Sequence, residues 1–71
     1  MTKKEINALN LEFDDPIVVM LYNREFVWGR FRNFGNYVIF VDKNRLGYVL
    51  LPDQIRKIRK VQERLVRNQQ F

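Results

Sequence analysis

The chain has 71 residues, of which 46% are hydrophobic and 30% charged, and its formal net charge is +5 at pH 7. A chain of this length forms one domain with a small core, for which assembly with other copies is an available source of stability. Because histidine and cysteine are absent, the composition excludes disulfide bonds, zinc sites built from thiolates or imidazoles, and catalytic triads that need histidine.

The sequence also lacks the features of a membrane protein or an enzyme. No apolar run approaches the roughly 20 residues that span a bilayer, and no apolar core typical of a signal peptide follows the N-terminus. There is no glycine-rich phosphate-binding loop, and the adjacent carboxylates Asp14 and Asp15 are explained as a connection before Pro16. We therefore expect a cytoplasmic protein with no catalytic residues, no metal and no cofactor.

A short N-terminal helix is predicted over residues 2–13. Thr2 is a candidate N-cap and Glu5 follows three residues later, which is the spacing of a capping box. The helical period is carried by three apolar residues: Ile6, Leu9 and Phe13. Because the residue before a proline is disfavoured in the helical region, Pro16 marks the end of this segment.

Five short strands are predicted to follow, which makes the fold mostly β. β-Branched and aromatic residues separated by turn residues indicate strands at about residues 17–22, 26–33, 37–41, 48–51 and 55–60. Gly29 falls inside the second strand, where glycine marks a bulge or a sharp bend. We expect a strongly bent antiparallel sheet that forms a small barrel. Its short end strands should close imperfectly and leave edges that pair with neighbouring copies in a head-to-tail ring.

The second predicted strand has one small apolar face and one aromatic and basic face. Side chains alternate across a strand, so Val27, Gly29 and Phe31 point to one side. The other side carries aromatic and basic residues, which the first strand extends in a regular hairpin: Phe26, Trp28, Arg30, Arg32, Met20 and Tyr22. The small apolar face fits a core, and the aromatic face is left for solvent, a partner or a ligand.

The net positive charge is concentrated after residue 53. Before that point seven basic and seven acidic residues cancel, whereas residues 54–71 contain six cations and one acidic residue, Glu63. Four of these cations lie in the fifth predicted strand: Arg56, Lys57, Arg59 and Lys60. Residues 62–71 are predicted to form a basic tail beyond a domain of residues 1–61. The cluster is either a footprint for a polyanion or a solvated segment, and charge alone does not separate the two.

The order of these elements, and several residues within them, match a known family. The matching residues are Pro16 at the start of the first strand, Leu21-Tyr22-Asn23, Val27-Trp28-Gly29, Phe34 before the turn, Tyr37-Val38-Ile39 after it, and Ile55 and Ile58. Asn7-Ala8-Leu9 also resembles the end of the family's N-terminal helix. Over residues 6–58 the chain resembles the Sm-like family of RNA-binding proteins, and within that family the Hfq branch.

This resemblance implies a homohexameric ring that binds single-stranded RNA without catalysis. Members of the Hfq branch are RNA chaperones that promote contacts between small regulatory RNAs and mRNAs in post-transcriptional regulation and the stress response, with tRNA as a further ligand. Uridine-rich RNA is expected around the pore on the helix side, with the candidate contacts Asn36, Tyr37 and Asp53. Purine-rich RNA is expected on the opposite face, with the candidate contacts Met20, Phe26 and Trp28.

The chain departs from the family at positions that carry charge. Leu51-Pro52-Asp53 stand where the family has Tyr-Lys-His near the pore, and the arginines of the ring's rim are replaced around Asn10, Leu11 and Glu12. We therefore expect other cations to attract phosphates: Lys3, Lys4, Arg56, Lys57, Arg59 and Lys60. The alternative is a small-barrel module, monomeric or dimeric, that binds a protein through Trp28 and its neighbours and does not bind RNA.

Overall fold

The computed structural model describes residues 1–61, and the predicted basic tail of residues 62–71 lies outside the described residues. One helix precedes five strands: α1 (Lys3–Asn7), β1 (Pro16–Leu21), β2 (Phe26–Phe34), β3 (Val38–Val41), β4 (Gly47–Leu50) and β5 (Ile55–Lys60). A short 3-10 turn, Pro52–Gln54, joins β4 to β5. Within residues 1–61, no helix is long and apolar enough to cross a membrane. The prediction of a mostly β fold with a short N-terminal helix is confirmed.

The helix begins as the sequence predicts but ends earlier. The Thr2 hydroxyl accepts a hydrogen bond from the Glu5 backbone N–H at 3.1 Å, and the Glu5 carboxylate accepts one from the Thr2 N–H at 2.9 Å. These bonds lower the pKa of Glu5, and the bond from the Thr2 backbone contributes most. The predicted end at residue 13 is wrong because Asn10 donates only three residues back, to Asn7, and takes a φ of 51°.

The five strands form one antiparallel sheet in the order β4-β3-β2-β1-β5. Alternate residues of the strands point to an inner face, where Ile6 of α1 packs with only 1% of its surface exposed. The buried core consists of Ile6, Ile17, Val19, Phe31, Val38, Phe40, Ile55 and Ile58. Tyr48 of β4 stacks on Phe40 with ring centroids 4.9 Å apart, which extends the core toward one edge of the sheet.

The sheet is curved but does not close into a barrel within residues 1–61. β4 and β5 lie at the two edges, and they do not pair with each other within residues 1–61. Residues 51–54 connect them and reach at most about 17 Å between the strand ends, whereas the edges of a flat five-stranded sheet are about 19 Å apart. The sheet therefore curls until its edges approach at that end. The predicted small barrel is therefore not a closed one in the described part of the chain, and the edges that imperfect closure was expected to leave open are β4 and β5.

Two bulges interrupt the pairing of the strands, and one of them brings a residue that breaks the strand alternation into the core. The pairing of β1 with β5 skips Arg56, so Ile55 and Ile58 are both buried although they are three residues apart. A second register shift leaves Arg32 as the extra residue of β2 in its pairing with β3. The bulge in β2 therefore lies at Arg32 and not at Gly29, which has a different role in the bend.

Candidate nucleic-acid interface

The side of the sheet that points away from the core carries the exposed aromatic residues. In the β1–β2 hairpin Met20 lies opposite Phe26, and Val18 lies opposite Trp28, so all four share one side. Phe26 is 58% exposed and Trp28 is 61% exposed. The predicted shared face of Met20, Phe26 and Trp28 is confirmed, and their contact with RNA stays a prediction.

Two cations of β5 join this side. Lys57 lies opposite Met20, and Arg59 lies opposite Val18, in the pairing of β1 with β5. A groove of about 140 Å³ lies between these cations and the aromatic pair, and its lining consists of Val18, Met20, Phe26, Lys57 and Arg59. We define the outer face by these five residues together with Trp28. It combines apolar, aromatic and cationic side chains within three adjacent strands.

The other candidate cations on β5 and α1 lie away from this groove. Lys60 donates to the Asn10 carbonyl at 3.0 Å and lies 3.5 Å from the Asp15 carboxylate, so it contacts the connection between α1 and β1. Arg56 is exposed at the bulge, and Lys4 is exposed on α1. The positive charge of β5 is thus divided between different sides of the sheet.

Arg30 and Arg32 of β2 form ion pairs within the chain. Arg32 Nη1 lies 2.9 Å from Asp14 Oδ1, and its guanidinium group lies 4.8 Å from the centroid of the Phe13 ring. Arg30 Nη1 donates to the Asp14 carbonyl at 3.1 Å and lies 3.9 Å from Oδ2 of the same residue. These contacts tie the connection between α1 and β1 to the bulged part of β2.

A second cleft, of about 500 Å³, lies on the β3 and β4 side of the aromatic pair. Its lining consists of Glu25, Phe26, Val27, Trp28, Asp42, Lys43 and Tyr48. Asp42 is engaged in its own turn, because its Oδ1 accepts from the backbone N–H groups of Asn44 and Leu46 at 2.8 and 2.9 Å. The Glu25 carboxylate, in contrast, forms no hydrogen bond or ion pair with any residue in the described range. We call this space the Glu25 cleft.

The candidate residues on the helix side meet at one end of the sheet. Asn36 and Tyr37 lie in the turn between β2 and β3, and Lys3 Nζ donates to Asn36 Oδ1 at 2.8 Å. Tyr37 is 47% exposed. Because β3 and β4 are antiparallel, the start of β3 and the turn after β4 lie at the same end, which places the exposed Asp53 there as well. The structure therefore brings the predicted pore-side residues to one end.

Contacts from the N-terminus hold the turn that carries Asp53. The α-amino group of Met1 donates to the Pro52 carbonyl at 3.0 Å and also to the carbonyl of Ile55. Within the turn, the Gln54 side chain accepts from the Leu51 backbone N–H at 2.8 Å. The helix and the Asp53 turn are thus linked directly through backbone carbonyl groups.

Six residues that line the groove or the Glu25 cleft were not among the predicted contacts: Val18, Glu25, Val27, Asp42, Lys43 and Tyr48. Val18 could have been found from its position two residues before Met20 in the same strand. Glu25 directly precedes Phe26 at the start of β2, where a residue next to a turn gives no signal of binding. Asp42 and Tyr48 reach the Glu25 cleft only because the sheet bends, and no local pattern signals that contact.

Comparisons of the chain with protein-family models, with curated proteins and with solved structures found no match. The resemblance to the Sm-like family therefore stays a prediction, and so do the RNA-binding roles of Asn36, Tyr37 and Asp53. Within residues 1–61, no group of three or more potential metal-binding side chains is placed to hold an ion.

Proposed function

We propose that the protein is a binder of single-stranded RNA that works as a ring of identical chains. The observation that supports this function most is the outer face, where the exposed rings of Phe26 and Trp28 lie near Lys57 and Arg59. Aromatic planes stack unpaired bases with little dependence on sequence, and cations attract the phosphates between them. An exposed face that offers both suits a single strand better than a duplex, whose bases are already stacked.

Within this class, the role that we propose is that of an Hfq-like RNA chaperone in the cytoplasm. It binds uridine-rich RNA at the helix end, through Asn36, Tyr37 and Asp53, and purine-rich RNA on the outer face. Small regulatory RNAs, mRNAs and tRNA are the proposed ligands. Holding two RNAs as single strands on one assembly promotes pairing between them, which is a binding function in post-transcriptional regulation and needs no catalytic residue.

The two open edges of the sheet support the proposed ring. Edge strands present unpaired backbone N–H and C=O groups that pair readily with another chain. Exposed apolar side chains also lie on β4 and beside it: Leu46 (59%), Val49 (59%) and Leu51 (43%). In the proposed ring, β4 of one chain pairs with β5 of the next, and six chains close the circle.

A protein-binding module is the second candidate function, and the exposure of Trp28 favours it. Large aromatic residues are frequent anchors of protein interfaces. The two functions differ in what a titration shows: the module has no affinity for short oligouridine or oligoadenine at fixed salt and needs no ring. Measurable binding of either oligonucleotide supports the RNA chaperone.

Replacing Tyr37 with alanine should weaken the binding of short oligouridine by about 1–3 kcal/mol, because one aromatic plane is lost from a stacked base. Binding of oligoadenine should change little, since it is assigned to the outer face. Fluorescence anisotropy at fixed salt measures both affinities. The matched control is Tyr37→Phe, which keeps the ring and should retain most of the affinity. Unchanged oligouridine binding by Tyr37→Ala would place the uridine site elsewhere.

A further inference from the structure

Two chemically different spaces share the ring of Phe26: the groove on the outer face and the Glu25 cleft beside it. Toward β5 lies the groove with Lys57 and Arg59, and toward β3 and β4 lies the Glu25 cleft. A ligand that covers both spaces meets two cations on one side and the rings of Phe26 and Trp28 in the middle. On the other side it meets the carboxylates of Glu25 and Asp42 together with the Lys43 side chain. This order of chemical groups limits which ligand fits.

A nucleotide within a single strand matches this order. Lys57 lies two strands from Phe26, which corresponds to about 10 Å across the sheet. That separation is comparable with the distance between a phosphate and the far edge of its own base. A phosphate held by Lys57 and Arg59 therefore leaves room for its base over the aromatic pair of Phe26 and Trp28, beside the Glu25 cleft that both rings help to line.

We infer that the outer face selects guanine and that Glu25 is the residue that recognises it; this inference rests on the proposed binding of single-stranded RNA. An ionised carboxylate only accepts hydrogen bonds. The Watson–Crick edge of guanine offers two adjacent donors, N1–H and the 2-amino group, which match the two carboxylate oxygens. Adenine and cytosine each place one amino group beside a ring nitrogen that accepts, and uracil places one N–H between two carbonyls.

The state of the two carboxylates in the cleft assigns the role to Glu25. Asp42 already accepts two backbone hydrogen bonds, and its Oδ2 lies 3.5 Å from the Tyr48 hydroxyl. Glu25 has no partner among residues 1–61, so both of its oxygens can meet a base. Burying the edge of guanine against this carboxylate would satisfy the donors of the base and the acceptors of the protein together.

A cationic peptide is the other ligand class that a cleft with aromatic rings and two carboxylates could hold, although Lys43 also lines this cleft and repels positive charge. The same ligand would then lie next to Lys57 and Arg59, which repel positive charge, on a chain whose net charge is +5. RNA satisfies both spaces at once, because its phosphates suit the cations and one of its bases suits the carboxylate. The charge distribution therefore favours the nucleotide over the peptide.

The test compares two short RNAs that differ only at the 2-amino group. Adenine-rich oligonucleotides with isolated guanines, or with inosine at the same positions, avoid four-stranded guanine structures. The unmodified protein should bind the guanine RNA roughly tenfold more tightly, which is the effect of one hydrogen bond to a charged group. Glu25→Gln should bring this ratio close to one. The readout is the ratio, since removing a negative charge raises the affinity for both RNAs.

The matched control is Glu12→Gln, which removes the same charge from an exposed residue at the opposite end of the β1–β2 hairpin and should keep the tenfold ratio. If no RNA of any sequence binds, the proposed function and the guanine inference both fail. If both RNAs bind equally well to the unmodified protein, or if Glu25→Gln keeps the ratio, only the guanine inference is overturned. Binding of an arginine-rich peptide that Glu25→Gln abolishes, with no difference between guanine and inosine, would assign the cleft to a protein partner instead.

Discussion

Replacing Val49 with proline should prevent the proposed ring from forming and leave single chains of 8.7 kDa that remain folded. The Asp42 N–H donates to the Leu46 carbonyl at 3.0 Å, which makes Asp42 and Leu46 a hydrogen-bonded pair. Along the β3–β4 ladder, hydrogen-bonded pairs then alternate with pairs that do not bond to each other. In that alternation Tyr48 and Leu50 bond to β3, and the backbone groups of Val49 point toward the open edge. Proline at this position removes an N–H that does not bond to β3 and that would pair with a neighbouring chain in the proposed ring, and proline is tolerated on edge strands.

The comparison variant for this experiment is Val49→Thr, which keeps the N–H and a β-branched side chain of similar size. Native mass spectrometry should find Val49→Thr in the same assembly as the unmodified protein. Circular dichroism in the far ultraviolet should show the same β content for both variants. If Val49→Pro stays assembled and folded, β4 is not the edge through which the chains meet.

Replacing Gly29 with alanine should lower the free energy of unfolding by about 2–3 kcal/mol, because the added methyl group overpacks the bend of the sheet. A Cβ atom at Gly29 would lie 2.5 Å from the Val41 carbonyl oxygen and 2.9 Å from Cδ2 of Phe40. The first contact is with backbone, which cannot rotate away as a side chain can. Thermal unfolding should show a midpoint lowered by about 10–20 °C for a domain of this size.

Gly35→Ala provides the matched control for Gly29→Ala. A Cβ atom at Gly35 would meet no atom within 4 Å, and none of the described glycines has a positive φ. This variant should unfold within about 0.5 kcal/mol of the unmodified protein, as surface substitutions usually do. Equal stability of Gly29→Ala and Gly35→Ala would contradict the close approach of β3 to β2 at Gly29.

Local patterns in the sequence were sufficient to predict the elements and the shared face. Alternation in β2 separates Phe31, which is 5% exposed, from Trp28, which is 61% exposed. The capping box of Thr2 and Glu5 locates the start of α1. The end of α1 could not be predicted because the left-handed backbone at Asn10 overrides the helical spacing of the apolar residues.

The interface depends on contacts between residues that are far apart in the sequence. Lys57 joins the outer face because β5 pairs with β1, across nearly 40 residues of chain, and a bulge at Arg56 sets which side each β5 residue faces. The Glu25 cleft likewise requires Asp42 and Tyr48 to approach β2 through the bend of the sheet. Both features depend on strand register and sheet curvature, which cannot be predicted from hydrophobic periodicity.

The mass of the unmodified protein under native conditions tests most directly whether the open edges of β4 and β5 are satisfied by other copies. We expect one dominant species of six chains, which persists on dilution and binds short single-stranded RNA without dissociating. A folded species of one chain at every concentration, with or without RNA, would contradict the account.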